Sequence, residues 1–569
     1  MKRYIKTALL TILLMLVLTG GVGILIGKAY FSNQEKEDSK KKEEMDMNLY
    51  GFSKVSTDGL EIYELELSGE FKNVETFKYA DTKSVYNVKQ SEKVKTQLEE
   101  LKKKNKYSIE TPLWAYNPFG TNKLSMYLYF KTVEPYSLKY TIHVENDDIP
   151  DFTRNCYNET GTVSKEHEYQ ITGLVPGVKN YIFLSLYNKK GEVAKQLVYS
   201  ITPKTPKDAP KRMLSYIEGK SSEKLSNGLY VFMGEDIYLY DNSGVLRGIM
   251  PIENYHTVNM YLLDGNLIYN YSKNGFTAVN AIGQVKEVYT LKDYEIYNDF
   301  VYDGYKNLLI LASNGKSNTV GDRVVTLNLE NGKSKELLNF GELLSGMKQK
   351  AKLPEGENKL NWLNLNSVVM TGSDSILVSS KELSSIIKVS QINSIRPKVT
   401  YILSQDTVWA KSGYESLLYN KIVLEEGVRN FKNQFGQSSL SILKEKGAEQ
   451  YSVVMLNHNY ANSSTRGDIK WKEVEGIGTK DKKASASKYY EYLISEEENT
   501  YALTNNFALP YSKEGSLFLY DTHVVVNVQD KNTLYEYDEE GKLIRGLEYK
   551  EKNMAYKIQK QSMKEFWYR

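Results

Sequence analysis

The chain of 569 residues contains one cysteine, five histidines and 12 prolines. A single thiol, Cys156, excludes an intramolecular disulfide and any zinc or iron–sulfur centre built from cysteines. The histidines, at 143, 167, 256, 458 and 523, show neither H-x₃-H nor H-E-x-x-H spacing, so no local motif predicts a metal centre. Net charge is nearly absent too, with 74 basic against 71 acidic residues. Lys2, Arg3, Lys6 and Lys28 flank one apolar segment. The body that remains is close to neutral, a poor match for the nucleic-acid backbone. Gly-rich phosphate loops, a G-x-S-x-G elbow and EF-hand loops are missing. With 41% apolar and 25% charged residues, the composition is that of a folded protein of two or more domains.

Residues 7–27 carry no charge. At about 1.5 Å per residue they cross a hydrocarbon core of about 30 Å. The basic residues before them predict a cytoplasmic N-terminus with the bulk of the chain outside. A cleaved signal peptide is the alternative; the length of the run and the lack of a clean small-x-small site favour an uncleaved anchor. Residues 33–47 are a mixed charge run and read as a solvated spacer.

Residues 88–105 space Val88, Val94, Leu98 and Leu101 as one face of a helix. From about residue 111 the period falls to two. Runs at 124–130, 138–144, 168–174, 181–187 and 196–201 alternate or are β-branched and aromatic. Turn clusters at 117–120, 145–150 and 188–191 separate them, which predicts a β-sandwich. Residues 202–210, with three prolines, mark a stiff boundary. Beyond it, strand, Asp-x-x-Gly turn and returning strand recur at 237–248 and 534–546, with weaker copies at 276–289 and 324–337. A repeated hairpin that cannot bury its own face predicts a propeller, of six large blades or eight compact ones. The Asp-x-x-Gly turns read as Asx turns rather than calcium loops. Of the histidines, only His256, in the Asn254-Tyr255-His256 cluster before a strand, stands out. The predicted organisation is a tip and anchor (1–28), a spacer (29–50), a helix plus sandwich (51–205) and a propeller (211–569), in an all-β chain without cofactor or metal.

Several stretches resemble a known family. Residues 111–130 (TPLWAYNPFGTNKLSMYLYF) resemble the start of the immunoglobulin-like domain of bacterial PAPS-independent arylsulfotransferases. Residues 361–390 (NWLNLNSVVMTGSDSILVSSKELSSIIKVS) resemble that family's Asp-Trp-x-His-x-Asn-Ser and Asp-Ser-Ile…Ser-Ser-Arg segment. Residues 401–403 with Trp409, residues 555–557 and residues 566–568 resemble later segments. The resemblance implies an immunoglobulin-like β-sandwich followed by a six-bladed β-propeller at a bacterial surface. It also implies sulfuryl transfer from a phenolic sulfate ester to a phenol through a sulfohistidine. Such chemistry needs a nucleophilic imidazole, donors for the sulfate oxygens and a base for the phenol.

Carried over, the family's first pocket histidine falls on Asn298, within Tyr297-Asn298-Asp299, and its second on Asn364. Its arginine falls on Lys381 and its sulfated histidine on Tyr451. Tyr297, Asn366 and Lys381 are the matched substrate-binding positions. Lysine keeps a charge but loses the two-pronged grip of guanidinium. Asparagines hydrogen-bond without exchanging protons near neutral pH. The resemblance thus implies a catalytically degenerate member that binds a phenolic or sulfated small molecule. The alternatives are an active enzyme of altered chemistry, with Tyr451 accepting sulfate, and a partner-binding platform.

Overall fold

A computed structural model describes residues 52–57, 60–65, 79–157, 163–410, 412–425, 431–445, 449–550 and 554–569. The expected membrane segment and charged spacer lie outside the described residues. Among the described residues no helix is long and apolar enough to cross a membrane.

The chain is nearly all strand. The predicted helix spans Val88–Lys104 and buries Val94, Leu98 and Leu101; Asn87 caps it by accepting from the Gln90 N–H at 3.0 Å. The sandwich follows. The two strands expected at 124–130 and 138–144 form one strand, Ser125–Val144. Its first part pairs with Ser164–Thr172 and its last with Asn180–Tyr187. The register breaks between Lys131 and Tyr136, around Pro135, which has no N–H to give a ladder. The strand thereby continues through the break with new partners instead of ending at a turn.

Six sheets follow in chain order, here I to VI, antiparallel but for the short outer strand Val423–Leu424 of sheet V, which pairs in parallel. Sheet I orders Leu246–Pro251, Asp236–Tyr240, Leu229–Met233 and Lys557–Gln561. Its inner strand therefore comes from the C-terminal end of the chain. Sheets II, III and IV start from their inner strands, Met260–Leu263, Tyr294–Tyr302 and Leu365–Met370. Sheet V starts at Ser438–Glu445 and sheet VI at Gly515–Tyr520. The outer strand of sheet VI, Ser215–Glu218, comes from the start of this region. The hairpin tips are the expected Asx turns: Asp241 Oδ1 accepts from the N–H groups of Ser243 (2.8 Å) and Val245 (3.0 Å).

Apolar clusters fill the seams between successive sheets. One joins II to III through Phe276 and Phe300, another III to IV through Leu311 and Val378. Others join IV to V through Leu377 and Val453, and V to VI through Leu456 and Val526. The largest cluster joins VI, I and II to the sandwich and to the C-terminal Phe566, Trp567 and Tyr568. Arg247, 1% exposed, bridges the regions: it donates to Pro150 O (2.9 Å) and Gly173 O (3.2 Å) and pairs with Asp241 at 2.7 Å.

The inner strands of all six sheets line one cavity of about 550 Å³. Around it runs a belt of contacts from sheet to sheet. Gln559 of sheet I donates to Asn259 of II, and Asn259 Nδ2 donates to Phe300 O of III (2.9 Å). The Val368 N–H of IV reaches Asp299 Oδ2 of III at 3.1 Å. The Leu440 N–H of V reaches Ser367 Oγ of IV at 3.1 Å. The Leu517 N–H of VI reaches Ser439 Oγ of V at 3.0 Å, and the Ile558 N–H of I reaches Ser516 Oγ of VI at 3.2 Å. The belt thus returns to its starting sheet.

Candidate ligand-binding site at the mouth of the cavity

At one end of the cavity lie the residues just before each inner strand and just after the next strand out. Asn364 precedes Leu365, and Lys381 follows Ser375–Ser380. Asn298 sits in a bulge of Tyr294–Tyr302, between Ile296 and Phe300. Asn298 (φ 52°) and Asn364 (φ 46°) are both left-handed, a conformation asparagine adopts more readily than most side chains.

These residues meet. Asn361 Nδ2 donates to Tyr297 OH at 2.7 Å, and Tyr297 OH donates to Asn364 Oδ1 at 3.3 Å. The Tyr297 ring lies over Gly321, where a Cβ would meet it at 2.2 Å. Asn298 Nδ2 donates to Leu365 O at 2.8 Å, and its Oδ1 accepts from Tyr556 OH. Lys381 N donates to Asn364 O at 3.1 Å. Lys381 Nζ meets Glu514 Oε2 at 2.8 Å and donates to Lys513 O at 2.8 Å. Asn366 Nδ2 donates to Gln437 O at 2.7 Å, tying sheet IV to V. Burial pushes the phenols of Tyr297 and Tyr556 up.

Tyr451 does not join them. It lies at the start of Gln450–Asn457, whereas the mouth is reached only after that strand ends. Strand rise puts those ends about 23 Å apart. Tyr451 packs between sheets IV and V, where its hydroxyl meets Tyr401 OH and Glu496 Oε1, and Lys388 Nζ lies 5.3 Å from its ring centre. Burial and these neighbours push its phenol far above the ordinary range, so it supplies no phenolate near neutral pH.

Other residues reach the mouth that sequence reasoning passed over. Ser438 Oγ lies 3.0 Å from His458 Nε2, and His458 Nδ1 lies 2.9 Å from Ser512 O. Since a carbonyl only accepts, Nδ1 carries the proton and Nε2 accepts from Ser438. Burial, reinforced by Lys381, lowers the His458 pKa to about 3. No spacing in the sequence joins Ser438, His458 and Glu514; only the sheet order does. His256, which did stand out, stacks between Tyr255 (4.3 Å between ring centres) and Tyr556 (4.2 Å). Burial, reinforced by Lys557, lowers its pKa to about 4. Among the described residues no group of three His, Cys, Asp or Glu is placed to hold a metal ion.

The arrangement defines an all-β protein with an immunoglobulin-like domain and a polar, tyrosine-rich mouth that carries one lysine paired to a carboxylate. Residues 215–569 match the arylsulfotransferase (ASST) family, and residues 113–206 match the arylsulfotransferase Ig-like domain. The chain belongs to the arylsulfotransferase family. No curated protein matches it in sequence. Among solved structures, it is similar to a chain of a nidogen/laminin complex, at 8% identity over 59% of this chain and 98% of that one, with a TM-score of 0.32. It is similar to a periplasmic gluconolactonase of Pseudomonas aeruginosa at 9% identity, over 75% and 99%, with a TM-score of 0.29. A hypothetical selenium-binding protein from Sulfolobus tokodaii is matched at 10% identity, over 67% and 92%, with a TM-score of 0.31.

Proposed function

We propose that this protein is a membrane-anchored, extracytoplasmic arylsulfotransferase-family member that holds a phenolic or sulfated anion at the mouth of a six-bladed propeller and does not turn it over. Six sheets in chain order, inner strands around one cavity, and an exchange of strands between the first and last sheets support the propeller. One observation carries the rest: the mouth positions matched to the family's two pocket histidines hold Asn298 and Asn364, each already hydrogen-bonded. Amides orient a ligand but exchange no proton. Lys381 supplies charge for an anion, and Tyr297 and Tyr556 supply aromatic surface. Loss of a general base alone costs about 10²–10⁴ in rate, and loss of the nucleophile removes the two-step route.

The test gives the full-length protein a chromogenic phenyl sulfate with a phenol acceptor and measures binding and turnover separately. Saturable binding, weakened in Lys381→Met, without multiple turnover is the expected result. Rapid multiple turnover overturns the degenerate reading. Protease added to intact cells should remove the exported domains; full protection overturns the topology.

A further inference from the structure

Residues 219–228 carry the chain from Ser215–Glu218, the outer strand of sheet VI, to Leu229–Met233 of sheet I. This strap lies at the end of the sheets away from the mouth, where Gly515–Tyr520 ends and His523–Val528 begins. Its start is tied down. The N–H groups of Lys220 and Ser221 donate to Leu543 O at 2.9 and 3.0 Å, and Ser221 Oγ donates to Asp538 Oδ2 at 2.5 Å. Near its other end Asn242 Nδ2 donates to Ser226 O at 3.0 Å, and Tyr520 OH donates to Asn227 O at 2.5 Å. Between these ties the half-exposed Glu223 reaches the buried His523.

His523 faces a carboxylate at each ring nitrogen. Glu536 Oε1 lies 2.6 Å from Nδ1, and Glu223 Oε2 lies 3.1 Å from Nε2. Glu536 also accepts from Lys560 Nζ at 2.7 Å and from Tyr230 OH at 2.5 Å, the setting of an ionised carboxylate. A carboxylate only accepts, so both ring nitrogens carry protons and the ring that fits this site is imidazolium. The charges agree, since His523 and Lys560 balance Glu536 and Glu223. Farther out, Asp521 acts on Lys560, Lys542 on Glu223 and Arg545 on Tyr230. Ser226 Oγ, 3.5 Å from Nδ1, adds no charge.

Loss of one ring proton weakens one contact more than the other. Glu536 is fixed by Lys560 and Tyr230 and retains the Nδ1 proton as its partner. Nε2 then turns a lone pair toward Glu223. That carboxylate sits on an exposed strap and can leave for water, whereas the buried Glu536–Lys560 pair cannot. We infer that His523 is a pH-sensitive latch: as imidazolium it pins the 219–228 strap through Glu223, and on shedding one proton it releases the strap while sheets VI and I stay joined. Docking of the strap and uptake of the proton favour each other, as linkage requires.

The test follows amide hydrogen exchange of the full-length protein in detergent from pH 5.5 to 9, with each rate divided by its intrinsic rate at that pH. Protection at Lys220 and Ser221 should fall about tenfold across this range, while Val524–Val528 keeps its protection. Glu223→Gln should flatten the profile, because an amide can accept from an N–H or donate to a bare nitrogen and is indifferent to the ring proton. His523→Gln should flatten it too. Glu223 is half-exposed, so its variant leaves the buried pair in place. A strap whose protection is constant with pH in the wild type overturns the inference. So does a fall of equal steepness in either variant, or a fall spread evenly over all six sheets.

Discussion

His458 offers a measurement in which the sign and size of an effect follow from its surroundings. The ring is 1% exposed and bonded at both nitrogens, and its pKa is lowered to about 3. In the unfolded chain a histidine titrates near 6.5. Below that pH the unfolded chain binds a proton that the folded chain refuses. Stability from this residue is therefore complete above about pH 6.5 and drains as pH falls toward the folded value. The slope is about 1.4 kcal/mol per pH unit. From pH 6.5, where the unfolded imidazole is half protonated, to pH 4.5 His458 alone accounts for about 2.3 kcal/mol. His167 and His256, both lowered to about 4 by burial, act with the same sign. Now consider His458→Gln. At pH 7.5 it loses well-made hydrogen bonds and should be less stable than wild type by about 1–3 kcal/mol. It has no proton to bind on unfolding, so its curve falls less steeply, and by pH 4.5 the two should meet or cross. Carboxylates and the other histidines contribute equally to both proteins and cancel. Urea unfolding followed by tryptophan fluorescence at half-unit steps of pH gives both curves. A gap that stays constant from pH 7.5 to 4.5 would refute the reasoning.

Three further outcomes are expected. Glu536 and Lys560, both fully buried, pair at 2.7 Å where sheet VI meets sheet I, and His523 Nδ1 lies 2.6 Å from the same carboxylate. Glu536→Gln and Lys560→Met should each cost about 3–5 kcal/mol and the double variant clearly less than their sum, read from a double-mutant cycle; strict additivity would contradict the pairing. Glu514→Gln should tighten phenyl sulfate binding several-fold, because Glu514 occupies the Lys381 ammonium; titration calorimetry showing weaker binding would mean the carboxylate assists the ligand. Tyr451→Phe should cost about 1–2 kcal/mol of stability and leave phenyl sulfate affinity untouched, since its partners are Tyr401 and Glu496.

Local chemistry was legible in the chain. The Asp241–Gly244 turn, the Val88–Lys104 helix and the strand pairs around each hairpin depend on neighbours a few residues away. Period and turn residues report on such neighbours directly. What joins residues far apart in the chain was not legible. Ser438 meets His458 across a hairpin, and Lys381 meets Glu514 across 133 positions of sequence, so no window contains either pair. Tyr451 shows the same limit from the other side. The family resemblance put Tyr451 at the site, but one strand length separates it from the mouth, and strand direction is invisible in so short a match. The single strand Ser125–Val144 was read as two runs, at 124–130 and 138–144; Pro135 lies between them, where the strand changes partner instead of ending.

The belt around the cavity acts as a hoop. In four of its six seams a side chain of one sheet accepts a main-chain N–H from the next; at the remaining two Asn259 bridges both neighbours. A main-chain donor survives every substitution but proline, so the width of the cavity rests on Asp299, Ser367, Ser439, Ser516 and Asn259 rather than on the loops. Outer hairpins are then free to lengthen or change without altering the opening. Trimming one member, as in Asp299→Ala, would strand the Val368 N–H and the Lys557 ammonium together and slacken the whole circumference, because a hoop holds no tension once cut at any point.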